Sequence, residues 1–446
     1  MKTIRSIFFS AAFLGLILLF PLPCHAAATT IREGIYAQGI SLGGMTRAEA
    51  TQAINAYFQE IADASFTLVC LDGVSETITV SDWEFEWDTR STVDEALSLG
   101  NEGSLIQRYK SQMDLKYGNI YLDVSYQISS EAVTETLETL GESHDSPAVD
   151  AAMTRESGSF VITTTESSGT VTNTAATLAA ILEEFADNLG QDMSAEAVSQ
   201  VDTPSVTTTD LEQIEDLLGT FSTTYSDSTS GRKTNIRVAT EYLNGTVVMP
   251  GESLSISDAI KSRTEENGYE MASQYSNGES EQAIGGGVCQ VSTTIYNALL
   301  RAELQIDERH AHSMVVSYVD YGDDAAIAEG VKDLVFTNNL DDPIYIYGAA
   351  DGSTLTFSIY GVETRAENRT VEYVAETTYL EWPTEKIEVY SSSLATGTSV
   401  ISGTLRPAVT ATLTKVVYID GVETERTLLH TDYYAASQQT ITYGTG

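Results

Sequence analysis

The sequence predicts an α+β multidomain fold with an all-β segment at its C-terminal end. Between about residues 35 and 189, short alternating runs are followed by amphipathic helical patterns in an order that occurs twice. A glycine run followed by a helical apolar period lies further along, and the last segment, rich in Thr, Val and Tyr, alternates like strands. A chain of 446 residues is expected to hold about three domains.

The N-terminal residues predict a secretory signal peptide over residues 1–28. Lys2 and Arg5 precede an apolar run at residues 7–20, and small residues follow, so cleavage is expected near Ala26 or Ala28. The run is short for a membrane span, and a retained membrane anchor is the alternative. The protein is therefore expected to be secreted to the cell wall or extracellular surface.

The charge balance limits the partners. The chain has 64 acidic and 23 basic residues and a formal net charge of −41. Such a polyanion disfavours nucleic acid as a partner, and a membrane is expected only if the signal segment is uncleaved. Beyond the signal, only Cys70 and Cys289 remain, too few for a disulfide framework. Cys70, in the run FTLVC, is expected to be a buried strand residue, and Cys289 a free thiol.

The first part of the mature chain predicts two diverged copies of one α/β unit, at residues 35–109 and 120–189. In the first copy, Thr46 and Glu49 form a capping box that starts a helix reaching about Ile61. The strand-like runs FTLVCLDG and SETITVSDWEFEW follow, and then a helix through VDEALSLG. The second copy reads as strand IYLDVSYQI, helix SSEAVTETLETLGE, hairpin AVDAAMTRESGSFVITTT and helix NTAATLAAILEEFADNL.

Two runs in this part, GISLGGMTRAEA and ALSLGNEGSLIQRY, resemble the peptidoglycan-binding domain that precedes catalytic domains in many Gram-positive wall proteins. The resemblance covers residues 34–200 and implies that this part binds wall polymer. Residues 201–231 are predicted to be a linker, because GTFSTTYSDSTSG has a small, polar composition.

The stretch from Ala283 to Tyr318 predicts a nucleophilic site. The glycines at 285–287 permit positive φ, and Cys289 follows them at the start of a predicted helix over about Gln290–Ala302. The helix should bury one face, formed by Val291, Ile295, Leu299 and Ala302. Unpaired N–H groups and the helix dipole at its start favour a thiolate. Gly287, Gln290 and the neighbouring amides are the predicted oxyanion donors.

The run HAHSMVVSYV predicts a strand that would place His310 and His312 on one face, where either imidazole is the candidate base for the thiol. His312 is slightly preferred. Asp324 is the candidate that orients the imidazole, with Asp333 as the fallback. An inert core thiol is the alternative for Cys289, and a structural or zinc-binding role is the alternative for the histidine pair.

Two arginines are candidates for the substrate. Arg232 and Arg309 could hold a substrate carboxylate by bidentate pairing, since the terminus of a stem peptide is anionic. Structural salt bridges are the alternative for both.

Residues 232–362 resemble the VanW family. The motifs that carry the resemblance are R-x-x-N-I, PGE, RTxxxGY, GGGVCQVSTTIYNALLRAEL, ERHAHS, YGDDA and KDLVFTNN. Leu254 departs from the family, which usually carries Phe there. Some family members are reported to be L,D-transpeptidases that cross-link peptidoglycan stem peptides through a cysteine. The resemblance thus implies that Cys289 is the nucleophile, with no cofactor. The Ser-His-Gly-Cys signature of ordinary L,D-transpeptidases is absent.

The final segment, residues 366–446, is predicted to be a small all-β module with a hairpin turn at IDGVETE. Its DGVETERTLL run and closing YGTG resemble the G-five wall module, which implies binding to N-acetylglucosamine-containing polymer. The whole chain is then expected to act on peptidoglycan by cysteine-dependent acyl transfer. A non-catalytic wall-binding scaffold and a zinc-dependent wall hydrolase are the alternatives.

Overall fold

The structure is a computed structural model that describes residues 29–276 and 279–446. The predicted signal peptide therefore lies outside the described residues. The described chain forms two compact units. The first ends at residue 147 and also includes residues 170–202, and the second contains residues 148–169 and 203–446. No helix within the described ranges is long and apolar enough to cross a membrane.

The elements up to residue 202 are mostly short. In chain order they are β1 (Ile35–Ala37), β2 (Ile40–Ser41), α1 (Arg47–Ala62), β3 (Ser65–Val69), β4 (Ser75–Thr79), a 3-10 turn (Val80–Trp83), β5 (Glu86–Asp88), α2 (Thr89–Ser98), α3 (Leu105–Tyr117), β6 (Ile120–Leu122), β7 (Ser125–Gln127), α4 (Ser130–His144), β8 (Ala152–Glu156), β9 (Ser159–Thr164), β10 (Gly169–Thr172), α5 (Thr174–Asn188), β11 (Met193–Glu196) and β12 (Ser199–Asp202).

The remaining elements include the longest strands. They are α6 (Thr208–Glu212), β13 (Asp216–Thr224), α7 (Ser230–Leu243), β14 (Val247–Val248), β15 (Ser253–Ser255), α8 (Ile256–Ala259), β16 (Met271–Ser276), β17 (Glu279–Ile284), α9 (Val288–Arg301), β18 (Gln305–Glu308), β19 (Val335–Thr337), β20 (Ile344–Ala350), β21 (Thr354–Gly361), β22 (Arg369–Tyr379), β23 (Ile387–Ser391), β24 (Ser399–Ser402), β25 (Val409–Ile419), β26 (Val422–Tyr434) and β27 (Thr440–Gly444).

The first unit interleaves the two predicted α/β copies. β1 pairs in parallel with β6, β3 pairs in parallel with β11, and β5 pairs with β7. A single aromatic core, which includes Phe58, Trp83 and Phe185, is shared by both segments. The capping box at Thr46 and Glu49 is confirmed. The two segments share strand partners and a core, and this pairing covers strand edges that each segment alone would expose.

The hairpin β8–β9 does not belong with the second copy, where the sequence placed it. It lies in the second unit, where Met153 packs with Leu211, Tyr345 and Tyr360 in a small separate core. Phe160 adds edge-on contacts to both tyrosine rings, with centroids 5.3 and 5.2 Å away. Its apolar side chains, rather than its position in the chain, decide where the hairpin packs.

The predicted linker contains an edge strand of the second unit's four-stranded sheet. β13 pairs with β21 in a four-stranded sheet of order β13-β21-β20-β14. At Gly219 a Cβ would lie 2.4 Å from the backbone nitrogen of Ala302, so only glycine allows this strand to approach the end of α9. The small residues that predicted a linker are therefore explained by close packing against a helix.

The helix α9 is the centre of the second unit. The apolar positions predicted to form one face are buried, but so is every residue from Gln290 to Leu300. β13 and β21 cover one side, α7 another, and Leu413 of β25 belongs to the same core. A helix covered on several sides carries buried polar residues as well, and these must find partners within the protein.

Two strand predictions remain, for residues 310–319 and for the C-terminal segment. The run at residues 310–319 is predicted to be a strand but is a loop. The preceding strand, β18, ends at Glu308. The C-terminal segment is all-β as predicted and forms two three-stranded sheets, β22-β25-β26 and β23-β27-β24. The predicted hairpin turn is present between β25 and β26, where Ile419 pairs with Val422.

Candidate active site

The glycine turn before α9 is held by two residues of α7. Asn235 is fully buried and donates from Nδ2 to the carbonyl oxygens of Gly286 and Glu270, at 3.0 and 2.9 Å. Gly287 caps the helix with φ +117°, and a Cβ there would lie 3.0 Å from Cγ of Arg232. The turn thus needs glycine both for its dihedral angle and for the close approach of α7.

Arg232 and Gln290 bind each other. Arg232 Nη2 donates to Gln290 Oε1 at 2.7 Å, and Gln290 Nε2 donates to Thr223 Oγ1 and the Thr224 carbonyl, both at 2.9 Å. The backbone N–H of Gln290 donates to the Gly287 carbonyl at 3.0 Å. These groups fix the start of α9 against β13. The Gln290 side chain is thereby committed to protein partners, and the Arg232 guanidinium uses its Nε and Nη2 groups within the protein.

Cys289 occupies the second position of α9, and its thiol is half-buried. The sulfur lies 3.4 Å from the Ile327 carbonyl oxygen, and the His312 side chain is close enough to interact with it. Burial opposes ionisation, but the hydrogen bond and charge of His312, with a smaller contribution from Arg263, outweigh it, so the pKa of the Cys289 thiol lies below its ordinary value.

His312 lies between the thiol and Asp324. Its Nδ1 and its backbone N–H both bond Asp324 Oδ2, each at 2.6 Å, which leaves Nε2 for Cys289. Burial lowers the pKa of His312, but Asp324 and the thiolate raise it to about 9. Burial would raise the pKa of Asp324, yet the His312 bonds hold it below its usual value. The arrangement favours the charged forms of all three neighbours: the Cys289 thiolate, the His312 imidazolium and the Asp324 carboxylate.

The loop that carries Asp324 is fixed to the polar side chains of α9. Ser292 Oγ donates to the Ala325 carbonyl at 2.6 Å, and Thr293 Oγ1 accepts from the Ala325 N–H at 3.0 Å. Asn297 Nδ2 donates to the Asp323 carbonyl at 2.7 Å. The buried polar residues of the helix therefore hold the acid-bearing loop in register with Cys289.

The strand β26 completes the surroundings of Asp324. The Tyr434 hydroxyl donates to Asp324 Oδ1 at 2.5 Å and accepts from the Gly322 N–H at 2.9 Å. Arg309 spans Asp432, at 2.6 and 2.8 Å, and Asp324, at 3.3 Å, and its side chain is 7% exposed. Arg309 is thus committed to buried carboxylates, which is the structural alternative, and is not placed to hold a substrate.

The other sequence candidates lie apart from the thiol. His310 is 40% exposed and bonds Glu308 at 2.9 Å. Asp333 accepts from the Ser255 hydroxyl and the Ser257 N–H, at 2.5 and 3.0 Å, and so caps a short helix. Within residues 29–276 and 279–446, no group of three or more metal-ligating side chains is placed to hold an ion.

Sequence reasoning assigned no role to three residues of the site. Tyr434 and Asp432 follow Asp324 by about a hundred residues, and no local pattern links them to it. Arg263 was visible only as the first residue of the RTxxxGY motif. Its aliphatic stem packs so closely on Gly285 that a Cβ there would lie 2.7 Å from Arg263 Cδ.

Comparisons with known proteins assign two domains. Residues 231–360 match the family described as "VanW like protein", and residues 76–193 match the family described as "Putative peptidoglycan binding domain". "Uncharacterized protein YoaR" of Bacillus subtilis is 36% identical over 143 residues, which is 32% of this chain and 47% of that protein. "Vancomycin B-type resistance protein VanW" of Enterococcus faecalis is 26% identical over 174 residues, which is 36% of this chain and 62% of that protein. The chain therefore spans less than two thirds of either relative.

Two solved structures are more distant. The IgA1 protease G5 domain shares 18% identity with a TM-score of 0.13, over 17% of this chain and 92% of its own. The Ldtfm-avibactam carbamoyl enzyme shares 12% identity with a TM-score of 0.20, over 52% of this chain and 74% of its own. At these values neither likeness carries an argument about this chain.

Proposed function

Because the chain contains a VanW-like domain and a peptidoglycan-binding family domain, we propose that it works at the cell wall, outside the cell, as a cysteine acyltransferase on peptidoglycan stem peptides. The observation that supports this most is the contact series from Cys289 through His312 to Asp324. Burial and hydrogen bonding there favour a thiolate next to an imidazolium, which is the reactive state of a cysteine nucleophile.

The proposed reaction has two halves. The Cys289 thiolate attacks the carbonyl carbon of a stem-peptide amide; a C–S bond forms and the carbonyl electron pair moves to oxygen. As the tetrahedral intermediate collapses, the C–N bond breaks and His312 gives its proton to the leaving amine. An amine of another stem then attacks the thioester and loses its proton to His312, which yields a new amide and regenerates the thiolate.

The oxyanion in this proposal is assigned to a backbone amide. The N–H groups of Val288 and Gln290 already donate to the carbonyls of Gly285 and Gly287, at 3.3 and 3.0 Å. The N–H of Cys289 lies between them at the positive end of the α9 dipole, beside the reacting sulfur, and is the donor best placed for a developing negative charge.

The test is a digest of isolated peptidoglycan with the wild-type protein and with Cys289→Ala, followed by mass spectrometry of the muropeptides. New cross-links, or released terminal D-alanine, are expected with the wild type and not with the variant. Cys70→Ala is the matched control, since Cys70 is the other free cysteine among the residues that the structure describes and is buried elsewhere. Identical products from wild type and Cys289→Ala would refute the thiol mechanism.

A second candidate function is wall binding without catalysis, which the peptidoglycan-binding match at residues 76–193 favours. In that case both proteins would sediment with isolated walls and leave every muropeptide unchanged. The same digest, with a pelleting step, therefore separates the two functions. The G-five assignment of residues 366–446 stays a prediction that can be tested in the same way, by binding to glycan chains stripped of stem peptides.

A further inference from the structure

Arg263 differs from the other arginines around the site. Arg232, Arg237, Arg301 and Arg309 each donate hydrogen bonds to protein oxygens. The Arg263 guanidinium has neither a hydrogen bond nor an ion pair with any part of the chain that the structure describes, although the chain has 64 acidic residues. Arg263 is only partly exposed, and a guanidinium without a partner among the described residues has donors available for a ligand.

The position of Arg263 is set by the glycine turn. Three atoms of its stem lie within 3 Å of where a Cβ of Gly285 would be, and the Gly285 carbonyl accepts the N–H of Val288, the residue before Cys289. The charge of Arg263 also contributes to the low pKa of the thiol. The aliphatic stem of Arg263 therefore packs on the glycine run, and the positive charge at its end acts on the Cys289 thiol.

We propose that Arg263 binds the free C-terminal carboxylate of the acyl-donor peptide, so that the residue released when the thioester forms is the last residue of the stem. The inference rests on the proposed acyl transfer at Cys289 and adds the substrate class to it. A planar guanidinium with two parallel N–H groups matches a carboxylate in bidentate geometry. In a chain with a net charge of −41, an anionic peptide needs such a local cation to stay at the site.

The binding test uses full-length Cys289→Ala, which cannot turn over, with a stem tetrapeptide ending in D-alanine as the free acid and as the C-terminal amide. Calorimetry should give tighter binding of the acid by about 10- to 100-fold, as expected for hydrogen bonds between charged groups. Adding Arg263→Gln should remove this preference, and adding Arg263→Lys should restore only part of it. Arg237→Gln, which loses an exposed pair with Glu241, is the matched control for the lost charge.

Equal affinity for acid and amide, no binding of either, or a preference that survives Arg263→Gln would each overturn the proposal. The comparison of acid with amide in the Arg263-containing protein decides the question even if Arg263→Gln fails to fold. Failure of the acyl-transfer proposal is seen separately, as identical muropeptides from wild type and Cys289→Ala. The two ideas therefore fail through different measurements.

Discussion

Replacing Tyr434 with Phe removes a buried hydroxyl that serves two partners, and we expect it to destabilise the second unit. The hydroxyl donates to Asp324 Oδ1 at 2.5 Å and accepts from the Gly322 N–H at 2.9 Å. Asp324 is 1% exposed, so water does not replace the lost bond at its carboxylate.

The magnitude follows from the two bonds. A hydrogen bond to a charged group contributes about 1.5–3 kcal/mol, and a buried amide left without an acceptor costs about 1–3 kcal/mol. Because both terms depend on one hydroxyl, they are not fully additive. We expect Tyr434→Phe to lower the free energy of unfolding by about 2–4 kcal/mol at neutral pH.

The loss should depend on pH. Burial would raise the pKa of Asp324, but bonds from His312 and Tyr434 hold it below its ordinary value. A depressed carboxyl pKa stabilises the fold at pH values above the unfolded pKa, about 4, and this stability is lost as pH falls through the folded pKa. The difference between wild type and Tyr434→Phe should therefore be largest near pH 7 and shrink below about pH 4.

Urea unfolding followed by fluorescence at pH 7 and at pH 3.5 measures both quantities. The matched control is Tyr433→Phe, on the same strand but 60% exposed, which should change stability by less than about 0.5 kcal/mol. If Tyr434→Phe unfolds like Tyr433→Phe, or loses as much stability at pH 3.5 as at pH 7, then β26 does not support Asp324 as argued.

Two further predictions concern the thiol and the central sheet. Iodoacetamide at pH 7 should label Cys289 in the native protein, because the pKa of its thiol is lowered. It should label Cys70 only after unfolding, because Cys70 is 6% exposed and burial raises the pKa of its thiol. Peptide mass spectrometry locates the label, and equal labelling of both cysteines in the native protein would contradict this prediction. Gly219→Val should lower the unfolding free energy by about 1–3 kcal/mol or prevent folding, because its Cβ would lie 2.4 Å from the Ala302 nitrogen. Ser222→Val, at an exposed position of the same strand, is the control and should unfold near the wild-type midpoint.

Local patterns predicted the local elements well. The capping box at Thr46 is present, the hairpin turn after Ile419 is present, and α9 begins next to Cys289. Each of these depends on residues within a few positions of one another. The same kind of pattern was wrong at β13, where small residues needed for close packing resemble a linker composition.

The sequence by itself determined the setting of Cys289: a glycine turn, a thiol at a helix start, and two histidines downstream. Only the tertiary structure showed that His312, and not His310, bonds Asp324. The segment that carries the two histidines is a loop, so their imidazoles take different partners, Glu308 for His310 and Asp324 for His312. The tertiary structure also brought Tyr434 to Asp324, and it packed the stem of Arg263 on the glycine turn with no hydrogen bond from its guanidinium to the residues described. These contacts join residues that are distant in sequence, and packing around α9 fixes their geometry. A local periodicity in the sequence does not predict such packing.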